Sequence, residues 1–206
     1  MKVLLVNGSS HEKGCTYTAL AEVAKALNAN GVETEIYWLG QNSVKGCKGC
    51  WACKKLKKCV IDDDGVNEFV EKAAQFDGFV FGSPVYYASA AGALVSFMDR
   101  VFYSGGRALA FKPAAAVVSC RRAGASTTFD VINKYFTINN MPIVGSNYWN
   151  EIHGNKAEEA EQDIEGLQTM RILGNNMAWL LKCIALGKEA GVAPITEKKI
   201  FTNFIR

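Results

Sequence analysis

The N-terminal stretch reads KVLLVN at residues 2–7 and GSSHEKGCTYT at residues 8–18, and it decides the fold. The first six residues are a short apolar run that meets a glycine, which predicts a buried strand entering a loop. The loop leads into residues 16–29, which are rich in the helix formers Ala, Leu, Glu and Lys. A strand, a polar loop and a helix in this order predict the first half of a βαβ unit.

The same alternation continues along the chain. Further apolar runs predict strands at residues 32–39, 77–82, 113–120 and 141–145. Helical patterns separate or follow them at residues 64–76, 89–103, 127–138 and 157–188, the last as one long helix or two joined ones. Continuously apolar strands that alternate with helices predict a parallel sheet covered on both faces. The predicted fold class is therefore α/β, a doubly wound five-stranded parallel sheet in the flavodoxin-like order 2-1-3-4-5.

Length and composition bound the organisation of the chain. Its 206 residues are 49% hydrophobic and 21% charged, which is ordinary for a globular protein and predicts a single domain over 1–206. Within it we expect a cysteine-rich insertion at 40–62 and a C-terminal arm at 190–206. The apolar runs are too short for a membrane span or a signal peptide, so we expect a cytoplasmic protein. A net charge of +3 gives no reason to expect a nucleic-acid partner.

The loop after the first strand is a candidate phosphate site. In a doubly wound sheet, ligands bind at the carboxyl ends of the strands, and free N–H groups at a helix N-terminus suit a phosphate. The loop contains neither a P-loop nor a G-x-G-x-x-G fingerprint. The alternative is an ordinary polar loop with Thr16 as helix cap. The candidate binding residues are Ser9, His11, Cys15, Thr16, Tyr17 and Thr18.

Two further loops come to the same edge of the predicted sheet. The third strand ends in Ser83, Pro84, Val85, Tyr86 and Tyr87, and paired tyrosines suit a planar aromatic ligand. The fourth strand leads to Ser119, Arg121, Arg122 and Gly124. The alternatives are tyrosines that cover the sheet rim and a basic surface loop. A phosphate loop beside an aromatic loop, at the point where the strand order reverses, predicts FMN.

Together these motifs resemble the NADPH-dependent FMN reductase group of flavodoxin-like proteins. The segment Gly8–Thr16 is similar to that family's G-S-x-R-x-x-G-N-T phosphate loop, and Gly82–Tyr86 is similar to its G-[ST]-P-x-Y flavin loop. Phe97–Arg100 and Gly145–Gly154 look like further family segments, so the resemblance covers roughly residues 2–155. It implies FMN as cofactor, NAD(P)H as a transient hydride donor, and flavin-borne chemistry that needs no catalytic side chain.

The chain departs from the family pattern within the phosphate loop. Ser10 and His11 stand where the family usually has Pro and Arg, and Cys15 stands where it usually has Asn. Losing the arginine removes a fixed positive charge beside the phosphate. The departure therefore bears on the affinity for FMN rather than on the identity of the cofactor.

Four of the seven cysteines fall within thirteen residues, as Cys47, Cys50, Cys53 and Cys59. The C-x2-C-x2-C part of this spacing suits three irons of a [4Fe–4S] cluster, and Cys59 is the candidate fourth ligand. A zinc site and free or disulfide-bonded thiols are the alternatives. The motif closely resembles that of the iron–sulfur flavoproteins, a branch of the same family.

The expected function is that of an FMN-dependent oxidoreductase or electron-transfer flavoprotein. NAD(P)H or ferredoxin would reduce it, and electrons would pass to a small-molecule or protein acceptor. Six lysines without an acidic residue at 45–58 favour an acidic donor such as ferredoxin, or else form a solvated surface loop. The alternative function is a non-catalytic flavodoxin-like module with a structural zinc or thiol loop. A homodimer or homotetramer is expected, with contacts through 147–153 and the last helix.

Overall fold

The computed structural model describes residues 1–202 and residue 204. Within these residues, five parallel strands form one sheet and a two-residue strand pairs antiparallel with the third. The strands are β1 Lys2–Asn7, β2 Glu33–Trp38, β3 Gly78–Tyr86, β4 Ser89–Ala90, β5 Ala114–Cys120 and β6 Glu151–His153. The sheet order is β2-β1-β3-β5-β6. Counted without β4, the parallel strands follow the predicted order 2-1-3-4-5, and the predicted flavodoxin-like α/β fold is confirmed.

Helices cover both faces of this sheet. They are α1 Cys15–Ala29, α2 Cys53–Leu56, α3 Val66–Ala73, α4 Gly92–Leu109, α5 Ala125–Ile138, α6 Ala157–Ala160 and α7 Ile164–Glu189. The long helical pattern at 157–188 is therefore two helices. The break has a local cause, because Asp163 caps α7 by accepting a hydrogen bond from the Gly166 N–H at 2.9 Å.

The alternation of side chains along the strands divides the core into two layers. Leu4, Phe79 and Phe81 point to the face covered by α3, α4 and α5, where most of the buried aromatic rings pack. Leu5 and Val80 point to the opposite face, which α1 and α7 cover. Burial on both sides explains why these strands read as continuous apolar runs rather than as alternating ones.

The predicted fifth strand at 141–145 is wrong. In this run, Ile143 forms only an isolated parallel bridge with Ala114. The strand that completes the sheet is β6, which pairs with Val118–Cys120 of β5. It contains one apolar residue, Ile152, because it is a three-residue edge strand with little surface to bury. The shift moves the end of the fifth strand, and the loop after it, from residue 145 to residue 153.

Two segments stand apart from the layers. Between β2 and α3, the described residues form one regular element, the one-turn helix α2. After Gly191, residues 192–202 and 204 are exposed and lie in neither helix nor strand. Of the helices in the described part of the chain, none combines the length and the apolar character needed to cross a bilayer.

Candidate functional site

A cavity of about 510 Å³ lies where β1, β3 and β5 end. This volume is in the range of small-molecule and cofactor sites. The structure brings residues from all three predicted loops together in its wall. Eight of the predicted binding residues line it: Ser9, His11, Cys15, Pro84, Val85, Tyr86, Ser119 and Arg121.

The loop after β1 is held by its own polar side chains. The Asn7 amide accepts a hydrogen bond from the Ser9 N–H at 3.1 Å and donates one to the carbonyl of Glu12 at 2.9 Å. The Ser9 hydroxyl accepts from the His11 N–H at 3.1 Å, and the Trp38 indole donates to the Ser9 carbonyl at 2.8 Å. These bonds fix the loop before any ligand binds.

The first helix begins without a capping side chain. Gly14 occupies the N-cap position of α1, and no side chain accepts a hydrogen bond from the first turn. Gly14 and Cys15 both line the cavity. The uncapped N–H groups and the positive end of the helix dipole therefore face the region where a phosphate is expected.

Direct hydrogen bonds join the loops to one another. The Gly8 N–H donates to the Gly82 carbonyl at 2.9 Å, which ties the end of β1 to β3. The hydroxyls of Ser10 and Tyr86 lie 2.8 Å apart, and those of Thr16 and Ser119 lie 2.8 Å apart. The phosphate loop, the aromatic loop and the loop after β5 thus form one connected rim.

Several predicted residues support the cavity without lining it. Ser83 is fully buried, and its hydroxyl donates to the Pro84 carbonyl at 2.8 Å and accepts from the Ala91 N–H at 3.0 Å. Thr16 is buried behind Ser119. Gly124 has φ of +87°, which favours glycine, and an added Cβ would lie 2.9 Å from Val85. These three residues shape the backbone around the cavity.

The remaining predicted residues lie outside the cavity wall. Tyr17 and Thr18 line a neighbouring cavity of about 440 Å³ instead. Tyr87 has a fully exposed side chain on a backbone with φ of +58°. Arg122 is exposed beside the rim. Tyr86 and Tyr87 therefore do not form the symmetric pair that their adjacency suggests.

The sequence reasoning missed one wall of the cavity. This wall is the loop after β6, residues 154–158, and the other missed lining residues are Lys13, Gly14 and Cys120. The signal was available, since Gly154-Asn155-Lys156 directly follows a strand. It was hidden because the fifth strand was predicted too early in the chain.

The cavity carries a net positive charge. Lys13, Arg121 and Lys156 line it together with one carboxylate, Glu158. Burial raises the pKa of the Cys15 thiol, and Glu159 and Glu158 add to the rise. Cys15 therefore stays a neutral thiol at pH 7, and it donates a hydrogen bond to the Gly154 carbonyl at 3.4 Å. The site suits an anionic ligand and places no thiolate against it.

A second, smaller cavity lies under residues 40–62, the cysteine segment. All four predicted metal ligands, Cys47, Cys50, Cys53 and Cys59, line it. Arg100, Tyr103 and Trp51 contribute to the same wall. Cys47 and Cys50 are exposed, whereas Cys53 and Cys59 are half-buried. Throughout the described chain, His, Cys, Asp and Glu side chains do not converge as a ready-made set of three or more ligands around one metal ion.

Comparison with known proteins decides the family. The model of the NADPH-dependent FMN reductase family matches residues 1–156, which include β1 to β6 and every wall of the larger cavity except its last two residues. The chain belongs to this family. As a member of the FMN reductase family it is a flavin-dependent oxidoreductase with FMN as cofactor.

Curated relatives of this FMN reductase family member include iron–sulfur flavoproteins of archaea. One from Methanocaldococcus jannaschii is 34% identical over 195 residues, covering 89% of this chain and 99% of that protein. One from Methanosarcina thermophila is 27% identical over 193 residues, covering 92% of this chain and 100% of that protein.

Solved structures show the same fold at low sequence identity. RosB, with a bound riboflavin-phosphate intermediate, aligns with a TM-score of 0.69 at 12% identity and covers 98% of this chain and 92% of its own. A WrbA-like flavodoxin from Agrobacterium tumefaciens aligns with a TM-score of 0.60 at 13% identity and covers 88% of this chain and 96% of its own.

The expected alternative of a non-catalytic module is set aside by the membership in a family of flavin reductases.

The substitution His11→Arg is expected to tighten FMN binding. His11 lines the cavity at the position where the resemblance places an arginine, and a guanidinium would add a charge-assisted, bidentate hydrogen bond to phosphate. We expect Kd for FMN to fall about tenfold, which is about 1.4 kcal/mol. Quenching of FMN fluorescence in a titration of apo-protein measures it. His11→Gln is the control, and an unchanged Kd in His11→Arg would contradict the phosphate assignment of this loop.

Proposed function

We propose that this FMN-dependent oxidoreductase is an electron-transfer protein that also holds a [4Fe–4S] cluster. The ligands would be Cys47, Cys50, Cys53 and Cys59. The observation that carries the proposal is that all four side chains line one cavity, although they span thirteen residues with little regular structure. A cluster of this type is held by four cysteine thiolates.

The backbone of the cysteine segment supports a built site. Trp51 and Lys57 have φ of +58° and +59°, in the left-handed region that non-glycine residues rarely adopt. Such conformations persist where the surroundings constrain them, and they concentrate at functional sites. Trp51 is held by an edge-to-face contact with the ring of Tyr103 at 5.7 Å and by the ammonium of Lys54 at 4.1 Å.

The size of the cavity sets a condition on the proposal. Its volume is about 30 Å³, far below the roughly 510 Å³ of the larger cavity. A four-iron cube attaches each thiolate to a different iron, so its ligands surround a volume rather than meet at a point. The four thiolates would therefore have to surround the cluster, and Cys47 and Cys50 are the two exposed ones.

The relatives support the same assignment. The proteins that match over nearly the whole chain carry the name iron–sulfur flavoprotein. A reducing compartment keeps such thiols available for iron, so we expect the protein to work in the cytoplasm. Zinc remains the other metal that four cysteines accept, and metal analysis separates the two.

FMN would be held by the three loops that meet at the larger cavity. Ser9, His11, Cys15 and the uncapped start of α1 would bind its phosphate. Pro84, Val85 and Tyr86 would lie along the ring system, and Ser119 and Arg121 would face its pyrimidine side. When bound, the flavin supplies both hydride and one-electron chemistry, and these side chains orient it.

The electron donor would be NAD(P)H or an acidic one-electron carrier such as a ferredoxin. In the cysteine segment, Lys45 pairs with Asp63 and Lys58 lies 3.8 Å from Asp62. Lys48, Lys54, Lys55 and Lys57 have no such ion pair among the described residues. This leaves an exposed positive surface beside the proposed cluster, which favours an acidic partner.

An anaerobic absorption spectrum, paired with iron and zinc analysis, tests the proposal. Flavin bands with a broad iron–sulfur absorption and about four irons per chain would support it. Flavin bands without iron after anaerobic reconstitution would contradict the cluster and leave an FMN reductase with free cysteines. Stoichiometric zinc would replace the cluster by a structural metal site.

The rate of reduction by a ferredoxin should fall with salt. Attraction between the exposed lysines and an acidic carrier is screened at high ionic strength, whereas hydride transfer from NADPH bound at the flavin is less affected. The double variant Lys48→Glu/Lys55→Glu should slow reduction by ferredoxin about tenfold at low salt. Stopped-flow absorbance measures both rates. Lys182→Glu on α7 is the control, and equal rates in the two variants would contradict docking at this surface.

We expect a homodimer or homotetramer. Tyr148 and Trp149, which lie just before β6, expose 57% and 53% of their surface. The C-terminal arm adds exposed Ile195, Ile200 and Phe201. Large apolar groups exposed together favour contact with another subunit. Light scattering of the FMN-loaded protein tests this, and a monomer would contradict it.

A further inference from the structure

A buried arginine lies directly beneath the cysteine segment. Arg100, on α4, exposes 1% of its surface. Its Nε donates to the Sγ of Cys59 at 3.3 Å, and its Nη2 donates to the Ile61 carbonyl at 2.7 Å. Its Nη1 donates to the Lys45 carbonyl at 3.2 Å and forms an ion pair with Asp64. One guanidinium thus contacts both ends of the segment and one of its sulfurs.

The partner carboxylate explains how a charge can be buried here. The Asp64 side chain is 7% exposed, and its Oδ2 also accepts the Lys45 N–H at 3.2 Å. A buried guanidinium without such a partner would be strongly destabilising. Because the pair is neutral overall, what it adds at the sulfur is a directed N–H donor rather than a net charge. The ion pair with Asp64 orients the planar guanidinium of Arg100 so that its Nε faces the Cys59 sulfur.

We propose that Arg100, oriented by Asp64, is a positioning residue that fixes Cys59 and raises the reduction potential of a cluster bound to it. This inference rests on the proposed function. A hydrogen bond to a ligand sulfur stabilises the reduced form, which carries one more negative charge. Lysine cannot replace the arginine, because a single ammonium nitrogen cannot donate to Asp64, two carbonyls and a sulfur at the same time.

The position of Arg100 in the fold gives this contact a second consequence. Helix α4 begins at Gly92, and Ala91 just before it donates its N–H to Ser83 of the flavin loop. Eight residues later the same helix presents Arg100 to Cys59. Helix α4 therefore connects the loop after β3 to the cysteine segment. The hydrogen bond to the Cys59 sulfur comes from this helix and not from within the cysteine segment.

The test compares Arg100→Lys and the double variant Arg100→Met/Asp64→Leu with the control Arg107→Gln, an exposed arginine on the same helix. FMN content and thermal melting report folding. A redox titration of anaerobically reconstituted protein, followed by electron paramagnetic resonance, reports the potential. We expect both variants to lower the equilibrium constant for reduction at least tenfold, about 59 mV for a one-electron couple, and the control to leave it unchanged.

A second readout needs no metal. Trypsin should cut metal-free Arg100→Lys at the lysines of 45–58 about tenfold faster than wild type, because both ends of the segment are released. Wild-type potential and wild-type cleavage in Arg100→Lys would overturn the inference. Loss of FMN from both variants would assign Arg100 to the fold and overturn it equally. A wild-type protein that takes up no iron would instead refute the proposed cluster, while the cleavage readout would still report the contact with the segment.

Discussion

The variant Cys50→Ser/Cys53→Ser is expected to lose all but a trace of its iron while keeping its FMN. Serine is a poor ligand for the irons of such a cluster, which is held by soft thiolates. The cavity proposed for FMN is built from other loops, so the flavin content of the variant should not change. Iron analysis after anaerobic reconstitution and the flavin absorbance of the same sample measure the two outcomes.

The matched control is Cys183→Ser. Cys183 is an exposed free cysteine on α7, outside the cysteine cavity. It should retain about four irons per chain. Wild-type iron in the Cys50→Ser/Cys53→Ser variant would show that these residues are not ligands. Equal loss in the control would indicate that iron was bound adventitiously by exposed thiols.

Replacing Gly8 with valine should abolish measurable FMN binding and destabilise the fold. An added Cβ at Gly8 would lie 2.9 Å from the Gly82 carbonyl oxygen and 2.9 Å from the Cβ of Leu94. The Gly8 N–H also donates to that carbonyl, so a side chain would force the loop after β1 away from β3 beside the cavity proposed for FMN. Overpacking of this kind costs about 1–3 kcal/mol. We expect a loss of FMN affinity of at least about a hundredfold, equivalent to about 2.8 kcal/mol.

Urea unfolding and FMN titration test this second expectation. Gly92→Ala is the control, because an added Cβ there meets no atom within 4 Å. It should bind FMN like wild type and be at least as stable, since alanine favours the helix. Wild-type affinity in Gly8→Val would mean that the close approach of the two loops does not matter to the flavin.

The fold was predictable because the three central strands β1, β3 and β5 are buried on both faces. Residues 3–6 and 113–118 are continuously apolar, and the structure has β1 and β5 there. The edge strand β6 was not predictable in the same way. It buries one apolar side chain, Ile152, while the more apolar run at 141–145 pairs through a single bridge. Apolar content therefore located the central strands and the edge strand β2, and failed at the edge strand β6.

The site was predictable where a loop follows a correctly placed strand. Ser9, Tyr86 and Arg121 all line the cavity, because β1, β3 and β5 were found. The wall at 154–158 was missed together with β6. Arg100 could not have been recognised as buried from helical periodicity, since its burial depends on Asp64 and on carbonyls of a segment without regular structure. Long-range polar contacts of this kind leave no periodic signal.

The place of the cysteine segment in the chain has an evolutionary consequence. It lies between β2, at the edge of the sheet, and α3, and it contributes nothing to the wall of the flavin cavity. A gene could gain or lose such a segment by insertion or deletion without disturbing strand pairing or the loops around the flavin. One scaffold can therefore serve flavin chemistry with or without a second redox centre.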